Sequence, residues 1–414
     1  MTAYTPNPVV TIAGTDYTAD TINSVTITAG RSSIDAQPRA GYATVSLIIV
    51  DNTYPAINLN DLLRVSVVDS SGSDPHIFTG YVTDVVRRMS AAGNVGQAVQ
   101  IDITAAGPLA RLAKLLTEDN YPKQYDGDRI AAILQDVFTT AWDEVTPTTL
   151  TWAGVNATKT WETYDPGYVG TVDTPGDFEL YDYNAGAVEA LSLTRLVANS
   201  ALGVLYETGD GLINYDASGT RVDRAGNLGF TSIDADYLSS LALAADSRTA
   251  DLINQITITY KANASTTASD VDSIAAYGLF AAQRSTYLEQ AAQAQQQRDF
   301  FLETRSIPRV NLGTIQIPLH NPNLPDATRD ALLGVFCGLP VAVPDLPTAI
   351  YNHPFEGFVE GYVWRVTRNT AELALTVSDY GLTAIQQAWE QVNALETWQT
   401  ISPTITWENA RVVY

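Results

Sequence analysis

The segment Ile22-Asn23-Ser24-Val25-Thr26-Ile27-Thr28 recurs later in the chain as Ile253-Asn254-Gln255-Ile256-Thr257-Ile258-Thr259. Most positions are identical, and the apolar residues alternate with polar ones in both copies. This alternation predicts a β-strand with one buried face. The repeat is carried by Ile22, Asn23, Val25 and Ile27 in the first copy and by Ile253, Asn254, Ile256 and Ile258 in the second.

Four further segments recur in the same order along the chain. Thr44-Val45-Ser46-Leu47 matches Thr314-Ile315-Gln316-Ile317, Leu63-Arg64-Val65-Ser66-Val67 matches Leu339-Pro340-Val341-Ala342-Val343, Phe78-Thr79-Gly80-Tyr81-Val82 matches Val359-Glu360-Gly361-Tyr362-Val363, and Ile101-Asp102-Ile103-Thr104 matches Leu375-Thr376-Val377-Ser378. Short words rich in threonine and valine recur by chance in β-proteins. Their shared order favours an internal duplication instead.

The two copies predict two related small antiparallel β-barrels within a mixed α+β protein. The spacing between the copies widens after the first segment, which indicates an insertion in the second copy. Residues 270–305 are rich in alanine, glutamine, leucine and arginine, so we expect a long helix there.

The segment between the copies predicts helices. Ile130, Ile133, Leu134, Val137 and Phe138 share one helical face after an N-cap at Asp126 or Asp128, and a second helix covers residues 187–201. Gly209-Asp210-Gly211 then predicts a hairpin turn. The expected domains are a first barrel at 1–107, a helical middle domain at 108–250, a second barrel at 251–381 and a C-terminal helix and tail at 382–414.

Aromatic residues gather in an irregular acidic loop at 146–184 and in the apolar tail. The candidate interface residues are Trp152, Trp161, Tyr164, Tyr168, Phe178, Tyr181, Trp398 and Trp407. Aromatic side chains are enriched at protein interfaces. An ordinary solvated surface, a glycan surface and a calcium site are the alternatives for the loop.

The charge of the chain excludes several classes of function. Its 46 acidic and 23 basic residues give a net charge of −23, which argues against stable binding to nucleic acid. The single cysteine, Cys337, and the three histidines, His76, His320 and His353, cannot supply a disulfide framework or a cysteine–histidine zinc site. No nucleotide or hydrolase motif occurs, so we predict no catalytic, metal or cofactor residues, although a carboxylate pair stays open.

No run of 18 consecutive apolar residues and no basic leader followed by an apolar stretch occurs in the sequence. The sequence therefore predicts a soluble chain without a membrane span that is not secreted by the ordinary route.

The chain resembles the hub-type minor tail proteins of long-tailed phages of actinobacteria. The resemblance rests on Gly41-Tyr42-Ala43-Thr44-Val45 leading to Asn52, on Phe78-Thr79-Gly80-Tyr81-Val82-Thr83-Asp84-Val85, on the stretch from Leu252 to Tyr260, and on the stretch from Tyr277-Gly278 to Pro308-Arg309-Val310. It covers roughly residues 20–385. The acidic loop and the tail have no counterpart in it.

The resemblance implies a structural virion protein at the tail tip, assembled in the host cytoplasm. It implies a homotrimeric hub around the DNA ejection channel, in which two barrels per chain adapt a sixfold tube to a threefold tip. Its partners would be further copies of itself, distal tail and tube proteins, and other tail-tip subunits. The alternatives are a sixfold distal tail ring protein, a cell-wall glycan-binding module and a glycan hydrolase.

Overall fold

The computed structural model describes residues 4–17, 21–50, 54–93, 96–118, 120–140, 163–164, 166–184, 186–239, 243–351 and 354–382. Within these ranges the protein is a mixed α+β fold dominated by one large, mainly antiparallel sheet. The fold class is confirmed at this level.

The N-terminal strands form a continuous run. They are β1 (Val9–Ile12), β2 (Thr15–Tyr17), β3 (Ile22–Gly30), β4 (Arg39–Ile49), β5 (Leu62–Ser66), β6 (His76–Gly93) and β7 (Gly96–Ala106). The pairing order β2-β1-β5-β6-β7-β4-β3 makes them one unit, which we call the first strand group. Burial alternates along much of these strands, as in β4, where Ala43, Val45 and Leu47 are buried and Tyr42 and Thr44 are exposed.

Short strands follow in the middle of the chain. They are β8 (Leu116–Thr117), β9 (Asn120–Tyr121), β10 (Gln124–Tyr125), β11 (Thr139–Thr140), β12 (Thr163–Tyr164), β13 (Val169–Val172), β14 (Glu179–Leu180), β15 (Tyr183–Asn184), β16 (Val188–Glu189), β17 (Val204–Glu207), β18 (Ile213–Asp216), β19 (Thr231–Ser232) and β20 (Ala245–Asp246). Strands β17 and β18 form an antiparallel hairpin around the predicted Gly209-Asp210-Gly211 turn.

The remaining strands are β21 (Gln255–Tyr260), β22 (Ala264–Ser269), β23 (Ala281–Ser285), β24 (Asn311–Leu312), β25 (Thr314–Pro318), β26 (Pro340–Val343), β27 (Phe355–Val366) and β28 (Ala371–Asp379). Strands β26, β27, β28 and β25 pair in that order, and we call them the second strand group. Strands β22, β21 and β23 form a separate sheet.

Seven α-helices lie in the described ranges. They are α1 (Pro108–Leu112), α2 (Asp126–Val137), α3 (Ala190–Ser200), α4 (Thr220–Leu228), α5 (Val271–Tyr277), α6 (Ala291–Arg305) and α7 (Asp326–Leu333). Helix α2 buries Ile130, Ile133 and Leu134 as their spacing predicts. Tyr125 occupies its N-cap, while Asp126 lies in the first turn and its carboxylate accepts hydrogen bonds from elsewhere in the chain.

The two strand groups share one pairing pattern. The antiparallel order β5-β6-β7-β4 in the first group has the same form as β26-β27-β28-β25 in the second. Strand β4 pairs Thr44 with Thr104, and β25 pairs Thr314 with Thr376. Because Thr44 and Thr314 correspond in the sequence match, these registers place Thr104 at the position of Thr376, two residues before Ser378, its counterpart in the sequence match. The stretch 101–104 therefore corresponds to 373–376 and not to 375–378.

The pairing registers give the glycine motif a different counterpart from the one the sequence suggests. Tyr81 pairs with Ala106, two residues after Thr104, and Phe358 pairs with Ser378, two residues after Thr376, so the preceding residues Gly80 and Gly357 hold the same position. Their partners, Leu63 of β5 and Val341 of β26, then correspond, so the sequence match of Leu63 with Leu339 is also shifted by two residues. The segment Phe355-Glu356-Gly357-Phe358-Val359 thus corresponds to Phe78-Thr79-Gly80-Tyr81-Val82. Tyr362 and Val363 lie further along β27, in the places that Val85 and Val86 hold in β6.

The surroundings of the two glycines support this alignment. A Cβ atom on Gly80 would lie 2.5 Å from the carbonyl oxygen of Ala106 and 2.7 Å from the ring of Phe78. A Cβ on Gly357 would meet the carbonyl oxygen of Ser378, again with the ring of the phenylalanine two residues earlier at 2.7 Å. Glycine is thus required at each position by the close approach of a neighbouring strand.

The opening pair of segments, by contrast, does not share an environment. Ile22, Val25 and Ile27 of β3 belong to a core formed by both strand groups, whereas Ile256 and Ile258 of β21 belong to the core of the middle of the chain. The likeness of these segments reflects the alternation that any half-buried strand requires. The N-terminal part of the unit expected at 251–381 thus packs with the middle core, and the division of the chain into domains stays a prediction.

The middle core joins α1, α2, α3 and α6 with β17, β18 and β21; we call these elements the middle unit. The long helix expected at 270–305 is not continuous. Residues 270–305 form α5, strand β23 and α6, and β23 lies parallel beside β21. An alanine- and glutamine-rich sequence favours helix, but pairing with β21 places Ala281–Ser285 in a strand.

Candidate assembly surfaces

The two strand groups are joined through one shared strand. One edge of β27 pairs with β26 from Phe355 to Phe358, and the same edge then pairs with β3 from Gly361 to Val366. A bulge at Glu360 separates the two stretches. The main chain of β27 thus links the groups into a single 12-stranded sheet.

The approach of β3 to this bulge requires glycine. Gly30 has a φ of +87°, and a Cβ on it would lie 2.5 Å from the carbonyl oxygen of Glu360. The next residue, Arg31, donates its backbone N–H to that same oxygen at 2.8 Å. Gly30 therefore turns the chain so that Arg31 lies directly against the bulge.

A buried ion network occupies the bulge, and we call it the Glu360 network. The carboxylate of Glu360 accepts hydrogen bonds from Nε of Arg31, from Nη1 of Arg221 at 2.9 Å, and from Oγ of Ser378. Glu360 is 1% exposed. Arg31 follows the first strand group and Arg221 lies in α4, so one carboxylate joins three parts of the chain.

The electrostatics of Glu360 follow from these contacts. Burial raises the pKa of its carboxyl group, but the attraction of Arg221 and Arg31 outweighs burial and holds the pKa well below its usual range. Burial also raises the pKa of the Cys337 thiol to about 11, so this neighbour is a neutral thiol that donates to the Glu360 carbonyl oxygen. The network is ionic but contains no activated nucleophile.

A second buried carboxylate, Glu207, joins the middle unit to the first strand group. Its two oxygens accept the backbone N–H groups of Gly41 in β4 and Leu109 in α1. A side chain on Gly41 or Gly107 would occupy the space of the Glu207 carboxylate. Burial raises the pKa of Glu207 to about 7, opposed by these N–H donors and by Arg195. Unlike Glu360, this carboxylate has no ion pair with a described cation.

Tyrosine side chains form a third link between these parts. The hydroxyl groups of Tyr81 in β6 and Tyr168 lie 2.9 Å apart, and Tyr168 stacks on Phe138 with 5.3 Å between ring centroids. Arg111 donates to the Tyr168 hydroxyl at 2.8 Å and lies over its ring. The described part of the aromatic loop is thus anchored within its own chain.

The candidate interface residues fall into three sets. Phe178 is buried in the middle core, which corrects its assignment to a contact surface. Tyr181 packs on Tyr287 with 5.0 Å between ring centroids and is half-buried. Trp152, Trp161, Trp398, Trp407 and the side chain of Tyr164 lie outside the described residues.

An unpaired edge lies on β6. Strand β5 pairs with β6 only as far as Tyr81, and no other described strand covers that edge from Asp84 onwards. Val86 is 44% exposed and Met89 is 66% exposed on this stretch, and Tyr54 and Leu59 are exposed on the adjoining loop. An open strand edge with apolar side chains favours pairing with another strand.

This edge corresponds to the covered edge of β27. The bulge at Thr83 in β6 matches the bulge at Glu360 in β27, since both follow the residue two places beyond the motif glycine. Beyond the bulge, β27 is covered by β3, while no strand in the described ranges covers the matching edge of β6. Sequence reasoning misses this difference because it depends on which strands meet across the sheet.

Other kinds of site find little support in the described part of the chain. No group of histidine, cysteine and acidic residues there is arranged to hold a metal ion. His76 and His320 lie apart, in β6 and after β25, and His353 lies outside the described residues. Among the described residues, no helix has the length and apolar character needed to cross a bilayer.

The fold is shared with solved phage tail proteins. The 43 kDa tail protein of prophage MuSo2 from Shewanella oneidensis aligns with a TM-score of 0.56 at 13% identity, covering 91% of this chain and 98% of that one. A tail protein from Neisseria meningitidis MC58 aligns with a TM-score of 0.58 at 12% identity, covering 92% and 98%. No protein-family model and no curated protein matches the chain. At such identities the likeness shows the fold alone, which is that of phage tail proteins.

Proposed function

We propose that the protein is a structural subunit of a phage tail, located in the virion and not an enzyme. The fold shared with two phage tail proteins over nearly the whole of their chains supports this role. The buried carboxylates Glu360 and Glu207 serve as internal links, since their oxygens are already bonded to groups of the same chain. Its partners are other tail components.

We further propose that it is a homotrimeric hub at the tail tip, around the channel for DNA. Two strand groups per chain give three chains six similar groups, which matches a sixfold tube. The net charge of −23 would keep DNA from adhering to the wall of such a channel. The contacts with the tube and with other tail-tip subunits belong to this proposal.

The proposal of a closed trimer rests on the difference between the edges of β6 and β27. Within one chain, the edge of β27 after the bulge is covered by β3. The matching edge of β6 at Asp84–Met89 is open, so a neighbouring copy can repeat the covered junction there. In the second strand group, the backbone N–H of Ser239 donates to the carbonyl oxygen of Gln316, so the segment that ends at Ser239 lies beside β25. This segment holds the place that β3 has beside β4. A neighbouring copy would pair it with the open edge of β6.

The native mass of the purified protein over a concentration range tests the proposal. Three chains per particle are expected, whereas six would favour a distal tail ring. A particle of one chain at every concentration, combined with release of reducing ends from cell-wall glycans, would favour an enzyme.

A matched pair of variants localises the contact. Val86→Lys places a charge on the open edge and is expected to reduce assembly, because a lysine there opposes strand pairing. Val271→Lys changes a valine on α5 that is more exposed, at 73%, and should assemble normally. Equal loss in both variants would remove the β6 edge from the interface.

A further inference from the structure

Arginine side chains converge on one cleft between the strand groups and the middle unit. Arg31, Arg221, Arg284 and Arg305 line it, together with Asp35 and Leu382. The cleft has a volume of about 520 Å³, including the open space at its mouth. Four guanidinium groups around one cleft stand out in a chain with 46 acidic and only 23 basic residues.

The carboxylates near the cleft do not balance these charges. Glu360 is shared between Arg31 and Arg221, and Asp35 pairs with Arg305 at 3.2 Å. Arg284 forms no ion pair with any described carboxylate; its guanidinium group lies over the ring of Phe301 at 4.7 Å. Four positive charges therefore meet two negative ones, which leaves the cleft net positive.

Buried donors also lack partners. Nε of Arg221 and Nε of Arg305 are buried without a hydrogen-bond partner among the described residues, and the two side chains are only 4% and 7% exposed. The one hydrogen bond recorded for Arg284 is long, at 3.5 Å to the Asn199 carbonyl oxygen. Burying a cation with unsatisfied donors costs free energy, which a bound anion would offset.

A neighbouring cleft shares Arg305 and Leu382 with the first one and adds Arg248 and Arg309 together with Asp251. Arg248 pairs with Asp246 at 2.5 Å, so the excess of positive charge lies in the first cleft. Burial lowers the pKa of Arg284, the carboxylate of Asp35 opposes this shift, and the nearby Arg305 adds to it. An anion in the first cleft would interact favourably with Arg284 and Arg305.

We infer that the Arg284–Arg305 cleft binds a small oxyanion, a phosphate or a carboxylate. Planar guanidinium groups donate paired N–H bonds that match both anions. Arg284 comes from β23, Arg305 ends α6 and Arg31 follows β3. A bound anion would therefore link the first strand group to the middle unit. The anion could be free in solution or be the side chain of an acidic residue on a neighbouring subunit.

Calorimetric titration of the full chain at constant ionic strength tests the inference. Inorganic phosphate and glutarate, a soluble analogue of a glutamate side chain, are titrated separately, with sodium chloride as the reference. Saturable binding of phosphate would identify a free anion, and binding of glutarate alone would identify an acidic side chain. The absence of saturable binding by either would overturn the inference.

Three variants define the site. Arg284→Met keeps the apolar contact with Phe301 but removes the charge, and should weaken binding at least tenfold. Asp35→Asn removes the carboxylate that competes for Arg305, and should strengthen binding, a gain that misfolding could not imitate. Arg64→Met removes an exposed arginine on β5, away from both the cleft and the open edge of β6, and should leave binding unchanged. Weaker binding in Asp35→Asn, or equal loss in Arg64→Met, would contradict the assignment.

Discussion

The bulges of β6 and β27 occupy matching places in the two strand groups but have opposite surroundings. Thr83 in β6 is exposed, and among the described residues its hydroxyl group donates only to the carbonyl oxygen of the adjacent Thr104. Glu360 in β27 is buried between two arginines. Where β3 closes over β27, a buried ion network fills the junction, whereas at the open edge of β6 the described residues form no such network.

The largest effect is expected at the covered bulge. Glu360→Ala would leave Arg31 and Arg221 buried without a counter-charge, which costs about 3–5 kcal/mol of unfolding free energy. Urea denaturation followed by tryptophan fluorescence measures it. Thr83→Ala, the matched change at the open bulge, should stay within about 0.5 kcal/mol of the parent. Similar losses in the two variants would mean that the network contributes little to the junction.

Glu207 is the counterpart to Glu360, because it is a buried carboxylate that forms no ion pair with a described cation. Its folded pKa of about 7 lies above its ordinary value of 4.5, so its contribution to stability is full below about pH 4.5 and is lost as the pH rises towards 7. Glu207→Gln removes this dependence. As the pH rises from 4.5 to 8, the unfolding free energy of the parent should therefore fall below that of the variant by up to about 3 kcal/mol.

The measurement for Glu207 is the free energy of unfolding across that pH range for both proteins. The Glu360 network should give the opposite pH dependence of the unfolding free energy. Because the pKa of Glu360 is lowered, its contribution to stability is present above the ordinary pKa value and is lost on acidification. Parallel pH profiles for the parent and Glu207→Gln would show that Glu207 does not titrate in this window.

The motif glycines test whether the two groups are equivalent. Gly80→Ala and Gly357→Ala should each cost about 1–3 kcal/mol, because the new methyl group would overlap a strand carbonyl and a phenylalanine ring. Gly226→Ala provides the control: no atom lies within 4 Å of its Cβ position and it is in α4, so a gain of about 0.5–1 kcal/mol is expected. Thermal unfolding ranks the three, and a loss at one motif glycine alone would break the equivalence.

The smallest effect is expected at the exposed ion pair. Arg88 and Asp102 lie 2.6 Å apart across β6 and β7, with 63% and 21% of their side chains exposed. Asp102→Asn should change the unfolding free energy by less than about 1 kcal/mol, as solvent screens such pairs. Urea denaturation at low and high salt measures it. A loss as large as that in Glu360→Ala would erase the contrast between buried and exposed pairs.

How far the sequence predicts this molecule depends on whether a feature is local. The helical face of α2 follows from periodicity, and the structure has it. Identity of residues favours Gly361 as the counterpart of Gly80, whereas the pairing registers and the strand contacts favour Gly357, and the internal duplication stays a prediction. Closure of each group into a barrel stays a prediction.

The features that link the groups could not be read from the sequence. Arg31, Arg221 and Glu360 are far apart in the chain and have no spacing in common. Their meeting depends on the β27–β3 pairing, which periodicity does not specify. Phe178 illustrates the same limit, since an aromatic in an irregular acidic stretch could equally be surface or core.

The most direct test of the account is hydrogen–deuterium exchange of the amides in Asp84–Met89, followed before and after the protein assembles. If neighbouring copies repeat the β27–β3 junction, these amides become protected on assembly, and Val86→Lys prevents the protection. If particles of three chains form while these amides exchange as fast as in the single chain, the open edge of β6 is not where the copies meet.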